Sequence, residues 1–193
     1  KMIKSDIGNY VISSRIRLAR NLAKYPFPSK MGFEDGLRVI KEVSEPLKKY
    51  VDGKLIMLKD LEPVEIKAFT EKHLISNALA ENTKMGAVVV NKDSTLSVMI
   101  NEEDHVRIQV IKHSLDLESA YELADKVDDL ISENSEIAFD IHLGYLTGCP
   151  TNLGTAMRAS VMMFLPALTI NRTINNVIFS SSKDALALRG VYG

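Results

Sequence analysis

The chain has 193 residues, 46% of them hydrophobic and 25% charged, with a formal net charge of −1. This is an ordinary composition for one globular domain, and it gives no field to draw nucleic acid or a membrane surface, so any anion site must be a local cluster of cationic side chains. A lone Cys149 excludes an internal disulfide framework, and no apolar run approaches the roughly 20 residues of a bilayer span, so the reducing cytoplasm is the expected setting.

Residues 1–10 read as a polar N-terminal tail and 11–193 as a single domain without repeats or linkers. From Val11 to Arg20, the residues Ile12, Ser14, Ile16 and Leu18 alternate with Ser13, Arg15 and Arg17. Period two predicts a strand with one arginine-bearing face. Two strand rises separate Arg15 from Arg17 by about 7 Å, a spacing that suits two oxygens of a polyphosphate or a plain solvated face. Leu37, Ile40, Val43 and Leu47 predict a helix over 33–50, interrupted near its end by Pro46.

Lys54 to Leu58 reads as a short strand. Leu61 to Leu74 reads as a helix with Pro63 in the first turn and His73 near its end, either a surface group or a ligand contact. Gly86–Val90 and Thr95–Ile100 predict a hairpin. It delivers Asn101-Glu102-Glu103-Asp104-His105-Val106-Arg107. Three adjacent carboxylates repel one another unless a cation or cationic substrate compensates. A third strand carries Arg107, and Leu115 to Ile131 reads as an amphipathic helix whose acids face solvent.

Gly144 to Arg158, dense in Gly, Thr and Asn, reads as an ordered loop able to present backbone N–H groups to an anion. Arg158 to Leu165 fits strand or helix, with strand favoured. Asn171 to Ser182 reads as helix and Ala185 to Leu188 as a last strand. These elements predict an α+β fold: a mostly antiparallel sheet flanked by helices on its outer face, with the site on the other.

Arg15, Arg17, Arg107, Arg158 and Arg189 all sit on or just after apolar strands. Guanidinium forks match phosphate oxygens, and five of them in one cavity need a polyanion there. No P-loop or glycine-rich kinase loop is present.

Ser13-Ser14-Arg15-Ile16-Arg17, the Asn101–Arg107 block, Cys149-Pro150-Thr151-Asn152-Leu153-Gly154-Thr155 and Arg158-Ala159-Ser160 together resemble the signatures of the ATP:guanido phosphotransferases, or phosphagen kinases. Only about ten residues precede the first block. With Glu71–Ser76 and Arg189–Gly193, this makes the match closer to the bacterial protein arginine kinase branch than to kinases of small guanidino metabolites.

The resemblance implies a guanido kinase catalytic domain that uses ATP and Mg²⁺. It implies that Arg15, Arg17, Arg107, Arg158 and Arg189 hold the phosphates, with Ser13, Ser14 and Ile16 beside them and His73 against the adenine. Backbone from Ala159, Ser160, Val161 and Met162, and the segment Gly190, Val191, Tyr192 and Gly193, complete the nucleotide site. Glu103 is implied as base and guanidinium anchor, and Cys149, otherwise a small buried filler, as its neighbour. Glu102 and Asp104 are implied to order waters of Mg²⁺ and neighbouring arginines, without direct metal ligands.

Protein substrates presenting arginine, a stress-gene repressor and an activator protein are the implied partners. The implied roles are marking proteins for degradation and inactivating that repressor. Two alternatives stand beside this reading: a nucleotide-binding adaptor without turnover, and a kinase of free arginine or another small guanidino compound. The family's second guanidinium-binding glutamate lies beyond Gly193, so the catalytic domain is expected to be incomplete at its C-terminus. Ala156 replaces the family's usual glycine and should resist a positive φ.

Overall fold

The long first strand β1 (Val11–Arg20) is the axis of a fully antiparallel six-stranded sheet. The other strands are β2 (Gly53–Met57), β3 (Ala87–Asn91), β4 (Leu96–Ile100), β5 (Val106–His113) and β8 (Met157–Met163), in the order β2-β3-β4-β5-β1-β8. The computed structural model describes residues 9–182 and 186–190.

Alternation along β1 divides its side chains. Ile16 and Leu18 enter the main core, while Ser13, Arg15 and Arg17 take the opposite face. Ile12 departs from the expected pattern and is exposed.

Helices α1 (Phe33–Tyr50) and α4 (Leu117–Ser132) cover the core face. The α1 stripe of Val39, Ile40, Val43 and Leu47 is buried, and the helix runs on through Pro46 because Val43 and Leu47 anchor both sides of it. Pro63 opens α2 (Pro63–Glu71), where Glu62 and Glu65 form a capping box. The expected single helix over 61–74 ends early. His73 takes φ 57° and a short α3 (Asn77–Glu81) follows.

With Leu58, Leu74 and Ile75, α2 and α3 cover Val88, Val90 and Met99 on the second face. That face is therefore not wholly free, as expected, but covered at β2–β4 and open at β5-β1-β8.

The expected loop from Gly144 to Arg158 begins with β7 (Gly144–Tyr145), which pairs with β6 (Phe139–Asp140) just before it, and contains a 3-10 turn at Pro150–Asn152. Arg158 lies in β8, as favoured from sequence. The expected helix over 171–182 is α6 (Ile174–Ser182), preceded by α5 (Pro166–Ile170). Residues 186–190 form no regular element where a strand was expected.

Between β4 and β5, Asn101 to His105 form an ordered turn, not a solvated acidic loop. Asn101 adopts φ 62°, a conformation asparagine tolerates, and its amide donates to Gly36 and Met85 carbonyls at 3.0 and 2.9 Å. The His105 ring is fully buried between the edges of Tyr25 and Phe27. Its Nδ1 accepts from the Leu22 N–H at 3.1 Å, so the Nε2–H donates to the Pro26 carbonyl at 2.9 Å.

Burial pushes His105 below its ordinary 6.5, against the pull of Pro26 and Asp104. The unfolded chain therefore takes up a proton near pH 6.5 that the folded chain refuses, and stability falls as pH drops. Between pH 7.5 and 5.5 the urea midpoint should decrease, with the unfolding free energy falling by at most about 1.4 kcal/mol per pH unit. A flat midpoint over this range contradicts the neutral buried ring.

Candidate functional site

The open half of the sheet gathers cationic side chains from three neighbouring strands. Arg17 on β1 stands opposite Arg158 on β8, Arg15 opposite Ser160, and Arg107 on β5 lies opposite Ala19. All share one face because cross-strand partners point the same way. The Arg15 Nε donates to Ser160 Oγ at 3.2 Å.

Arg17 carries the electrostatic signature of the cluster. Its guanidinium is lowered to about 10, first by burial and then by repulsion from Arg15, Arg107 and Arg158, while Glu102 opposes the shift. Burial and Arg107 lower Arg15 as well. The buried Arg17 Nε has no partner among the described residues. Among those residues only Arg107 of the four is paired with carboxylates, and a cluster with this surplus of positive charge and an unused donor fits a polyanion.

Four of the five expected arginines thus converge. Arg189 is exposed and, among the described residues, makes no hydrogen bond or ion pair with the cluster, as Gly190 beside it is exposed too. Val191, Tyr192 and Gly193 lie outside the described residues.

The three carboxylates of the turn are separated by burial. Glu102 is buried, accepts from Ser76 and pairs with Arg107 at 2.5 Å. Asp104 is fully buried, accepting from Asn21 Nδ2 and the Gly148 N–H, each at 2.6 Å. Glu103 alone reaches solvent, 44% exposed and 3.3 Å from Arg107. It has the access a substrate guanidinium needs.

Asp104, expected beside metal-bound waters, is instead an internal post for the 146–149 loop. Glu102 does hold an arginine as expected, and one buried oxygen of each carboxylate lacks a described partner. No group of three or more His, Cys, Asp or Glu placed to hold a metal occurs among the described residues.

Two further corrections come from strand parity. Ser14 is fully buried on the core side, where its hydroxyl donates to Ser114 O at 2.7 Å and accepts from Asp116 N–H at 2.9 Å. Ile16 is buried in the core, so neither side chain faces the arginines. On β8, Ser160 and Met162 share the arginine face, while Ala159 and Val161 pair with Ile16 and Ser14 and point away. His73 is exposed at the rim, where its carbonyl accepts from Gln109 Nε2 at 2.6 Å.

Cys149 is half-buried, its Sγ 3.0 Å from the Thr151 hydroxyl, which accepts from Arg158 Nη2 at 3.4 Å. Gly148 brings this loop onto the acidic turn, since a Cβ there would lie 2.8 Å from the Glu103 carbonyl oxygen. Gly148→Ala should displace Glu103 or the loop, costing roughly 1–3 kcal/mol. Urea unfolding checks this, and an unchanged midpoint contradicts the contact.

Ala156 does adopt φ 49°, despite the expected resistance of a Cβ. Its carbonyl is fixed by the Ala19 N–H at 3.0 Å.

Sequence reasoning missed the buried pair of Arg20 and Asp128, at 2.6 Å, having placed every acid of that helix in solvent. The signal was present. Arg20 falls in the buried register of β1 with Ile16 and Leu18, and Asp128 falls on the α4 stripe with Ala124, Val127 and Ile131. An arginine and an acid on two facing apolar stripes predict one another.

The family model described as ATP:guanido phosphotransferase, C-terminal catalytic domain, matches residues 37–193. A protein-arginine kinase of Clostridium tetani is 45% identical over 192 residues, covering 97% of this chain and 56% of that protein. One from Caldanaerobacter subterraneus subsp. tengcongensis is 48% identical, over 95% of this chain and 56% of that protein. The chain thus spans about half the length of the curated relatives it matches. A substrate-free duplicated taurocyamine kinase from Schistosoma mansoni superimposes with TM-score 0.76 at 25% identity, covering 86% of this chain and 25% of that one. A lombricine kinase gives 0.77 at 24% identity, covering 89% and 52%, and shows the same fold.

Proposed function

The chain belongs to the ATP:guanido phosphotransferase family, and from that premise we propose that it is the nucleotide-binding part of a kinase that phosphorylates arginine side chains in proteins. The observation that carries the reading is the convergence of Arg15, Arg17, Arg107 and Arg158 beside the one solvent-facing carboxylate, Glu103. Relatives at 45% and 48% identity that are named protein-arginine kinase support a protein substrate.

In this reading the four guanidinium groups hold the ATP phosphates. Ser13, Ser160 and Met162 line the same face, and His73 stands at its rim toward the base. Arg189 to Gly193 join the site in the nucleotide-bound enzyme.

A guanidinium with a pKa above about 12 is a poor nucleophile while protonated. Glu103 grips it, aligns one nitrogen with the γ-phosphorus and accepts its proton as the N–P bond forms and the bond to the ADP oxygen breaks. Cys149 orients the same guanidinium from the Gly148 loop. Arginine charge neutralises the equatorial oxygens during transfer. Mg²⁺ would be held through the ATP phosphates, with the Glu102 oxygen that lacks a described partner as a protein acceptor for its waters, and would supply further charge neutralisation.

The unit proposed to act spans residues 11–193, with 1–10 as a tail. Its setting is the cytoplasm, and no described helix is long and apolar enough to cross a membrane. The proposed outcome of modification is delivery of proteins to degradation and inactivation of a stress-gene repressor, with an activator protein as partner.

The test incubates the full-length polypeptide with ATP, Mg²⁺ and an unfolded protein. Acid-labile phosphate on arginine is the expected product. Acid-stable phosphate on serine, or preference for free arginine over protein, overturns the reading, and nucleotide binding without transfer establishes the adaptor instead.

A further inference from the structure

The Arg20–Asp128 pair has no part in the chemistry above, yet a buried ion pair is seldom kept for stability alone, because desolvating both charges offsets most of their attraction. Every edge of this guanidinium is used. Its Nε and Nη2 donate to Asp128 Oδ2 at 3.1 and 2.6 Å, fixing it to α4. Its Nη1 donates to the Ala19 carbonyl at 2.7 Å and to the Thr155 carbonyl at 3.3 Å. The flat face lies over the Tyr145 ring, 3.5 Å from its centroid.

Tyr145 and Thr155 flank the two ends of one loop. Those ends are joined, for the Tyr145 N–H donates to Gly154 O and the Gly154 N–H to Leu143 O, both at 2.9 Å. Gly144 permits this approach, as a Cβ there would sit 2.4 Å from the Gly154 oxygen. The loop so closed contains Cys149 and Thr151. Immediately after it come Ala156, held at φ 49°, and Arg158 in register with Arg17.

We propose that Arg20, held by Asp128, is a positioning residue that sets the Cys149 loop and the entry into β8 against the arginine face and Glu103. Its effect on rate rests on the kinase reading; its effect on loop geometry does not.

The test uses the full-length protein with Asp128→Asn, which removes the charge and keeps the shape, and Arg20→Lys, which keeps the charge and loses the fork. Should one fail to fold, the other decides. Val43→Ala, on the buried face of α1, serves as a stability control. Three readouts are taken well below each Tm: kcat, the KM for ATP, and the alkylation rate of Cys149 followed by peptide mass spectrometry.

Both site variants should lose at least about tenfold in kcat and change Cys149 alkylation at least about threefold. Val43→Ala should lower Tm and leave both within twofold. Either readout staying within twofold of wild type in the site variants overturns the proposal. If wild-type protein transfers no phosphate, the kinase reading falls by itself and alkylation alone decides the positioning role.

Discussion

Glu103→Gln should lower kcat for phosphoryl transfer to protein arginine by roughly 10²- to 10⁴-fold, the range expected when a positioned general base is removed. Glutamine keeps the length of the side chain and a carbonyl to face the guanidinium, so the loss measures proton acceptance and charge, not bulk. The fold should not register the change. Glu103 is largely solvated, and Arg107 keeps its shorter contact with Glu102 at 2.5 Å when the 3.3 Å contact to Glu103 is lost. Surface changes of this kind stay within about 0.5 kcal/mol. ATP affinity should also hold, because in the proposed reading the arginines, not Glu103, hold the phosphates. Glu102→Gln serves as contrast: that carboxylate is buried against Ser76 and Arg107, so its loss should lower Tm along with rate. A Glu103→Gln enzyme with a near-normal kcat removes Glu103 from the chemistry.

Arg17→Met should separate two quantities that usually move together. ATP affinity should fall about 10- to 100-fold, since a charged hydrogen bond contributes about 1.5–3 kcal/mol. The nucleotide-free protein should at the same time become more stable to heat. The reason is the charge surplus: Arg17 is held near 10 by burial and by Arg15, Arg107 and Arg158, and its Nε is buried without a described partner. Methionine fills similar space without charge and relieves that repulsion. Differential scanning fluorimetry without and with ATP reads both effects in one experiment. A lower Tm in the nucleotide-free protein, or an unchanged shift on adding ATP, contradicts a site preformed for a polyanion.

Much of this was legible in the chain. Strict alternation from Ser13 to Leu18 sends arginines to one face of β1, and the β4–β5 hairpin follows from two apolar runs around a short acidic segment. Residue patterns of period two survive folding because a strand offers only two faces. What stayed hidden is the fate of each residue within the signature blocks. Ser13 and Ser14 are neighbours, yet one joins the arginine face and the other ties β1 to the start of α4.

Distance along the chain explains the remainder. Arg15, Arg17, Arg107 and Arg158 were marked from sequence as strand arginines, and their types and order fit one family; that much needs no coordinates. Register decided which of them meet. Antiparallel pairing of β1 with both β5 and β8 sets four of them on one surface. Burial then sorted three equivalent carboxylates into an arginine anchor, a loop post and one solvent-facing group, because Glu102 and Glu103 share Arg107 at different depths while Asp104 accepts from Gly148. Local pattern fixes the face on which a side chain stands, whereas its partners, and hence its charge environment, come from other segments, as near as Arg107 to Glu103 and as far as Ser160 from Arg15.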